Sequence, residues 1–516
     1  MNMNMNMNMK YIILSFVVLF FTSCNKWLDV TTKDMVLEDQ QFSSEDNINS
    51  ATNGLYREMM STSLYGGNLS QTTIEVMGHF YTYPNSQPSE GNQSIPFYML
   101  GTFNYTHDAV KGNFSNIWSS AYAVLLHINN YIKNVEQSTA TMSDAHKKIL
   151  LGEAYGLRAY IHFDLFRLFG PVYGEKTDAK ILPYNNSADV TLNHTNYEQT
   201  EYSSADEYIQ LLKQDIATAE GLLAANDPIV TDPSGDGNIT NTLPSDNFYQ
   251  NRNRRMNYYA VKGLEARVLQ YIGDDVNAAA AAKVITDQVG SVFKWVDPSS
   301  VVSNSNYIFF SEVIFGVSNI NMALNANTWY AGTILGTSYL VDYNNLVKNI
   351  LGYAGNDLSS MLDIRSKQWM TSNAMPDPLG YSNNGTFRSR KYFSTSTQVP
   401  AANNLQVLIR ISEMYYIQAE AALKAGNRQQ AIDLLNTVLR NRALTDQYFL
   451  TTGQSDAEIQ AHIEQEYYRE FFGEGQAFFF HKRLVSPQMF SGNGEGSVAV
   501  SPDNYVVPIP DSETNI

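Results

Sequence analysis

The chain has 516 residues, of which 34 are lysine or arginine and 51 aspartate or glutamate, for a net charge of −17. That balance, with no basic tail, excludes wrapping of nucleic acid, which needs clustered cations to neutralise phosphates. A single cysteine makes neither an internal disulfide nor a thiolate zinc cluster, and 44% hydrophobic against 16% charged residues supply the core that a disordered chain lacks.

The first eight residues alternate methionine and asparagine, and translation could equally begin at Met9. Lys10 is followed by an apolar run from Tyr11 to Phe21, broken only by Ser15. The run is about half the ~20 residues that a membrane-crossing helix needs. It has the charged start and short apolar centre of a secretion signal, and it ends in Phe21-Thr22-Ser23-Cys24. This ending resembles the lipobox of bacterial lipoproteins, although Phe21 departs from the usual aliphatic residue. The reading assigns residues 1–23 to a lipoprotein signal peptide and Cys24 to the lipid anchor. Each buried acyl CH₂ contributes about 0.8 kcal/mol, so several chains on one cysteine tether a protein that does not itself span the bilayer.

After the anchor, Ser44 is a candidate N-cap, with Glu45 and Asp46 in the first turn and a stripe of Ile48, Ala51, Leu55 and Met59. From Tyr65 to Asn113 the periodicity breaks, and Gly, Pro, Asn, Ser and Gln alternate with Tyr and Phe, which predicts long loops. Helical spacing returns over Ile117–Val135, with Trp118, Tyr122, Leu125, Ile128 and Ile132 on one face. A second helix is expected over Asp144–Phe169, stopped by Gly170-Pro171, and a third over Ala205–Ala225.

Two later segments share a pattern. In Tyr258–Ile285, Gly273 is followed five residues on by Ala278, and in Tyr415–Leu439, Gly426 is followed by Ala431 at the same spacing. This is the turn of a tetratricopeptide repeat, where glycine ends one helix and a small alanine lets the next pack closely. Between them, Ser291–Pro400 reads as a large irregular, aromatic-rich insertion containing Trp295, Trp329, Tyr330 and Trp369.

Four places together resemble the SusD/RagB-like outer-membrane lipoproteins of nutrient uptake systems. They are the lipobox with CNKWLDV, then LRAYIHFDLFRLFGPV (Leu157–Val172), RISEMYYIQAEAALKAGN (Arg410–Asn427), and EYYREFFGEGQAFFFHKR (Glu466–Arg483) with the closing YVVPIP. They span nearly the whole chain after Cys24 and occur in the family's order. One departure stands in the fourth motif, where Ala477 and Phe480 replace the usual arginine and acidic residue and mark a divergent branch. The resemblance implies a mainly α fold, a tetratricopeptide-like helical frame with large irregular loop insertions. It also implies a single domain from 24 to 516 with a ligand face built from about 65–113 and 291–400. The implied setting is the outer membrane, lipid-anchored and facing the cell exterior, with a SusC-like TonB-dependent transporter as partner.

Several constellations could carry chemistry. Glu464, Glu466, Glu470 and Glu474 include i,i+4 neighbours, and paired carboxylates serve glycoside hydrolysis. The favoured reading is structural, with Arg469 and Arg483 near. Eight histidines are scattered without metal-ligand spacing, and no nucleophile-elbow, phosphate-loop or HExxH motif occurs. Asp232-Pro-Ser234-Gly-Asp236-Gly237 mimics the start of a calcium loop, but Leu243 stands where the bidentate glutamate belongs. It reads as a turn; no cofactor is expected, and calcium is the only one left open.

Sugars offer flat C–H faces and polar rims, and tyrosine and tryptophan offer matching flat faces with a hydrogen-bonding edge, beside amides that hold hydroxyls. The expected ligand residues are therefore Tyr65, Tyr81, Tyr83 and Tyr98, with Phe97, near Asn68, Asn85, Gln87 and Asn92, and Asn327, Trp329 and Tyr330 in the second region. Trp329 leads them; Trp118 reads as core, and Trp369, after Asp363-Ile-Arg365, as part of a structural turn. The expected function is non-catalytic capture of an oligosaccharide or polysaccharide and its delivery to the transporter. The alternatives are peptide capture, as in the RagB branch, and a secreted glycan hydrolase.

Overall fold

A computed structural model of the chain describes residues 40–174, 179–188, 201–235, 237–239, 248–330, 338–352, 362–371, 386–392, 402–494 and 496–514. Cys24, His194, Asp236 and Leu243 lie outside the described residues. The architecture is mainly helical. Helix α1 (Glu45–Met59) begins where the sequence places it, with the Ser44 hydroxyl accepting from the Asn47 amide at 3.3 Å. Helix α4 (Asp108–Gln137) starts nine residues before the expected Ile117. Its extra turns carry Gly112 and Asn113, which hide the pattern, but Val110 and Phe114 are buried and extend the stripe.

The region expected to be loop between Tyr65 and Asn113 holds two short helices, α2 (Thr73–Met77) and α3 (Ile95–Gly101), with turns around them. Helix α5 (Asp144–Phe169) has the predicted bounds. It is buried on nearly every side after Ile149, with Glu153, Arg158, Asp164 and Arg167 buried among its apolar residues, so no single apolar stripe marks its inner face. Lys482 closes its far end: the buried ammonium donates to the carbonyls of Leu168 and Gly170, at 3.2 and 2.7 Å, where the helix dipole favours a cation. Helix α6 (Ala205–Leu223) opens on a capping box between Ser204 and Glu207 and packs along α5.

The repeat pattern becomes two helical hairpins. The first joins α7 (Tyr258–Tyr271) to α8 (Asp275–Thr286), and the second joins α10 (Ile411–Lys424) to α11 (Arg428–Asn441). Gly273 and Gly426 turn the chain with φ of +83° and +77°, a conformation glycine adopts without cost. Ala278 and Ala431 are fully buried on the second helix of each hairpin, and α8 packs against α10, so the hairpins stack.

The insertion between the hairpins is less irregular than its sequence suggests. Strand β1 (Val313–Ser318) runs antiparallel to β5 (Leu405–Arg410), so the two ends of the insertion are paired. Strands β2 (Val341–Asp342), β3 (Trp369–Thr371) and β4 (Thr386–Ser389) form a small antiparallel sheet in the order β2-β4-β3. Asn327, Trp329 and Tyr330, expected on a loop, belong to helix α9 (Met322–Tyr330). Met322, Ala326 and Tyr330 are buried at a spacing of four, the period of a helix face.

The last motif forms α12 (Asp456–Phe471) and α13 (Ala477–Leu484). Its two departures from the family pattern are buried together: Ala477 is 2% exposed and Phe480 3%, and the Phe480 ring packs 4.3 Å from that of Tyr467.

Candidate functional site

Three of the four glutamates on and after α12, Glu466, Glu470 and Glu474, form an ionic lock in the interior. Glu466 meets Arg365 at 2.8 Å and Arg469 at 2.7 Å. Glu470 is gripped by Arg442 at 2.5 Å and by Arg365 at 2.9 Å. Glu474 binds Arg410 through Nε at 2.9 Å and Lys391 at 2.5 Å. Arg442 also holds Glu312. Burial alone would raise Glu470, but Arg442 and Arg365 hold it at about 2. A carboxylate so paired stays ionised and cannot serve as a general acid near neutrality. Arg483, expected near this group, binds Glu420 instead. Glu464 differs: its Oε1 stands 3.6 Å from His481 Nε2, and burial pushes its carboxyl up to about 7. Asp363-Ile-Arg365 is the structural turn that delivers Arg365 to this lock, and Trp369 beside it is buried. Trp118 is core, as its stripe implies.

The two aromatic regions meet. The Tyr81 and Tyr330 hydroxyls lie 3.1 Å apart, and both reach Gln71, Tyr81 donating to its carbonyl at 2.9 Å and Tyr330 to its side-chain oxygen at 3.3 Å. The Thr82 amide donates to the Leu340 carbonyl at 2.9 Å. Tyr339 packs between the regions, with ring centroids 5.1 Å from Tyr81, 4.9 Å from Phe97 and 6.5 Å from Trp329.

The structure divides the seven expected ligand residues by exposure. Tyr65, Tyr81 and Tyr330 are buried at 2%, 0% and 0%, so these three serve as packing and not as platforms. Tyr65 lies apart from the rest against Tyr160, with ring centroids 5.4 Å apart. Tyr81 and Tyr330 join the two regions from beneath. Tyr83, Tyr98 and Trp329 are half-buried and Asn327 is exposed. Phe97 is buried, and Asn68 is taken up by the hydroxyl of Thr73 at 2.8 Å. One half-buried residue that the sequence did not single out belongs here, Tyr339. It lies in the aromatic insertion, but nothing local distinguishes it from a core tyrosine.

Neutral polar groups rim the aromatics. The Tyr83 amide donates to Asn493 Oδ1 at 2.9 Å, and Asn493 in turn donates to Asn85 at 2.9 Å. The Tyr83 hydroxyl meets buried His79 at 3.2 Å; burial pushes this phenol up to about 12 and His79 down to about 4, so both are neutral at pH 7. Asn85, Gln87 and Asn92 are exposed. Such a surface can stack against an apolar ring face and hydrogen-bond hydroxyls without demanding charge. Among the described residues, no group of three or more His, Cys, Asp or Glu could hold a metal ion, and no helix is long and apolar enough to cross a membrane. The calcium-like loop lies partly outside the described residues.

Comparisons with known proteins place this geometry. Residues 317–515 match the family model described as the SusD family, and residues 26–234 match a second, described as starch-binding associating with outer membrane. A SusD-like protein of Bacteroides ovatus is 26% identical over 198 residues, covering 36% of this chain and 34% of that protein. The chain thus spans about a third of the length of that curated relative. Among solved structures, a SusD superfamily protein from Bacteroides thetaiotaomicron superposes with a TM-score of 0.68 at 19% identity, covering 92% of this chain and 98% of that one. A SusD-like carbohydrate binding protein from Bacteroides vulgatus follows with a TM-score of 0.64 at 18% identity, covering 92% and 96%. Two SusD-type family models, matched over residues 26–234 and 317–515, lead to one conclusion: the chain belongs to the SusD/RagB-like family.

Proposed function

We propose that the protein is a non-catalytic lipoprotein of the outer-membrane surface, anchored through Cys24. It binds an oligosaccharide or polysaccharide on the face formed by Tyr83, Tyr98, Asn327, Trp329 and Tyr339, and it delivers that glycan to a SusC-like TonB-dependent transporter. The observation that carries this reading is the meeting of the two aromatic regions, which sets half-buried rings beside exposed amides on one surface. The family model described as starch-binding and associating with outer membrane supports the ligand class and the location. The carbohydrate-binding relative from Bacteroides vulgatus supports the same class. The arginine-saturated glutamates support binding without bond cleavage. We take residues 24–516 as one domain, because β1 and β5 pair the ends of the insertion.

The test is isothermal titration of the protein against neutral polysaccharides and peptides, with Trp329→Ala in parallel. Binding of at least one neutral glycan, weakened by the substitution, supports the reading. Binding of peptides alone would replace it with peptide capture, and release of reducing ends would replace it with hydrolysis.

A further inference from the structure

A cavity of about 570 Å³ opens beside α1 and the strand end at Ser318, within the roughly 300–1,000 Å³ range of ligand clefts. Arg57, Arg254 and Arg255 all line it, and no described lining residue carries a carboxylate. On a chain of net charge −17 this concentration of cations is out of character.

Two of the three guanidiniums are held in place. Arg254 donates to Ser318 Oγ at 2.6 Å, and Arg255 donates to Asn53 Oδ1 at 2.8 Å. Arg255 also lies flat against the Phe248 ring, 3.6 Å from its centroid. Behind the cavity Glu153 is 3.5 Å from Arg255, but Glu153 is already bonded to fully buried Arg252 at 2.5 Å, so one carboxylate serves two cations. Arg57 is exposed and has no carboxylate partner among the described residues. Arg57 also lines a neighbouring cavity of about 750 Å³ whose wall carries the amides of Gln40, Gln41, Asn47 and Asn130 and one carboxylate, Glu58, which is paired with His127 at 2.6 Å. Guanidinium forks match planar or tetrahedral oxyanions, and amides match hydroxyls. A ligand carrying both is an acidic sugar chain.

We propose that this cavity is a second, separate binding site for an acidic saccharide, whose carboxylate or sulfate ester is held by Arg57, Arg254 and Arg255 while the amide-lined cavity takes its hydroxyls. The site does not rest on the aromatic face around Trp329.

The test titrates the full chain with polygalacturonate, dextran sulfate, uncharged dextran and polyglutamate, at low salt and at about 0.5 M salt, where charge attraction is screened over a few ångströms. Polygalacturonate or dextran sulfate is expected to bind and to weaken in high salt. Arg57→Glu should weaken that binding by about tenfold, the worth of one charge-assisted contact. Arg254→Gln should act in the same direction, and because Arg57 is exposed, Arg57→Glu keeps the test valid if Arg254→Gln fails to fold. Trp329→Ala should leave this binding intact. The proposal is overturned if neither anionic polysaccharide binds at low salt, if Arg57→Glu changes nothing, or if Trp329→Ala abolishes it. Equal binding of uncharged dextran also overturns it. Tighter binding of polyglutamate reassigns the cavity to acidic peptides.

Discussion

The hydroxyls of Tyr81 and Tyr330 lie 3.1 Å apart, although 249 positions separate them in the chain. Neither touches solvent. Their contact, shared with Gln71, fixes the loop that carries Tyr83 against the helix that carries Trp329. Gln71 is tied to the frame in turn, donating to Gln406 on β5 at 2.7 Å. The candidate ligand face therefore stands on a buried polar joint.

Removing the Tyr81 hydroxyl tests the joint. Tyr81→Phe strips the Gln71 carbonyl and the Tyr330 hydroxyl of a buried partner, which costs about 1–3 kcal/mol. Urea denaturation should show that loss, and glycan affinity should fall with it although Tyr81 is too deep to touch a ligand.

Trp329→Ala separates binding from folding in the opposite sense. The side chain is half-buried on α9 and packs on Tyr339 alone among the described rings. Stacking on an indole is worth about 1–1.5 kcal/mol, so glycan affinity should drop about tenfold. The melting temperature should fall only slightly by scanning calorimetry, because the half-buried ring gives up part of its packing on the core without leaving an enclosed cavity.

Arg442→Ala breaks the ionic lock at its centre. Glu312 and Glu470 would each lose a bidentate partner at 0% exposure. Leaving a buried charge uncompensated costs about 3–5 kcal/mol. Chemical denaturation should show this loss, or soluble yield should collapse, without any change in the ligand face.

Gly475→Ala should be as severe for a different reason. Gly475 has φ of +72°, and a methyl there would come within 2.2 Å of the Leu69 carbonyl oxygen. Its amide also donates to Glu75 at 2.8 Å, a bond that the displaced backbone would lose. Circular dichroism melts should place this variant well below Gly426→Ala, whose added methyl meets open space and carries only the strain of positive φ.

Acid should act through buried histidines and a paired carboxylate in overlapping pH windows. Burial depresses His79 and His462 to about 4 and His162 and His481 to about 3, below the ordinary 6.5. A depressed histidine contributes stability that is present above pH 6.5 and lost as pH falls toward these values. Glu470, held at about 2, contributes stability present above the ordinary 4.5 and lost between there and 2. Glu464 has the opposite sign: raised to about 7, it favours the fold below pH 4.5 and loses that contribution as pH climbs through 7. Denaturant midpoints should therefore fall steadily from pH 6.5 downward. Glu464→Gln should raise the midpoint at pH 8 and leave it unchanged at pH 4.

The sequence alone determined the helical frame, because its signals are local. Ser44, Gly170, Gly273 and Gly426 act on residues within one turn, and the glycine-to-alanine spacing of the hairpins is written in consecutive residues. The pairing of glutamates with arginines was also partly legible, since Arg469 lies three residues from Glu466. The principal partners, Arg365 and Arg442, were not, because they approach from other elements. The aromatic face was legible as two regions but not as a surface. Tyr81 and Tyr83 are two residues apart in the same polar, aromatic stretch, yet one is sealed under Tyr339 and the other reaches solvent. That distinction depends on Tyr330, Leu340 and Asn493, hundreds of positions away. Burial is a property of the assembled fold, so only the tertiary structure decided which tyrosines hold the face together and which present it.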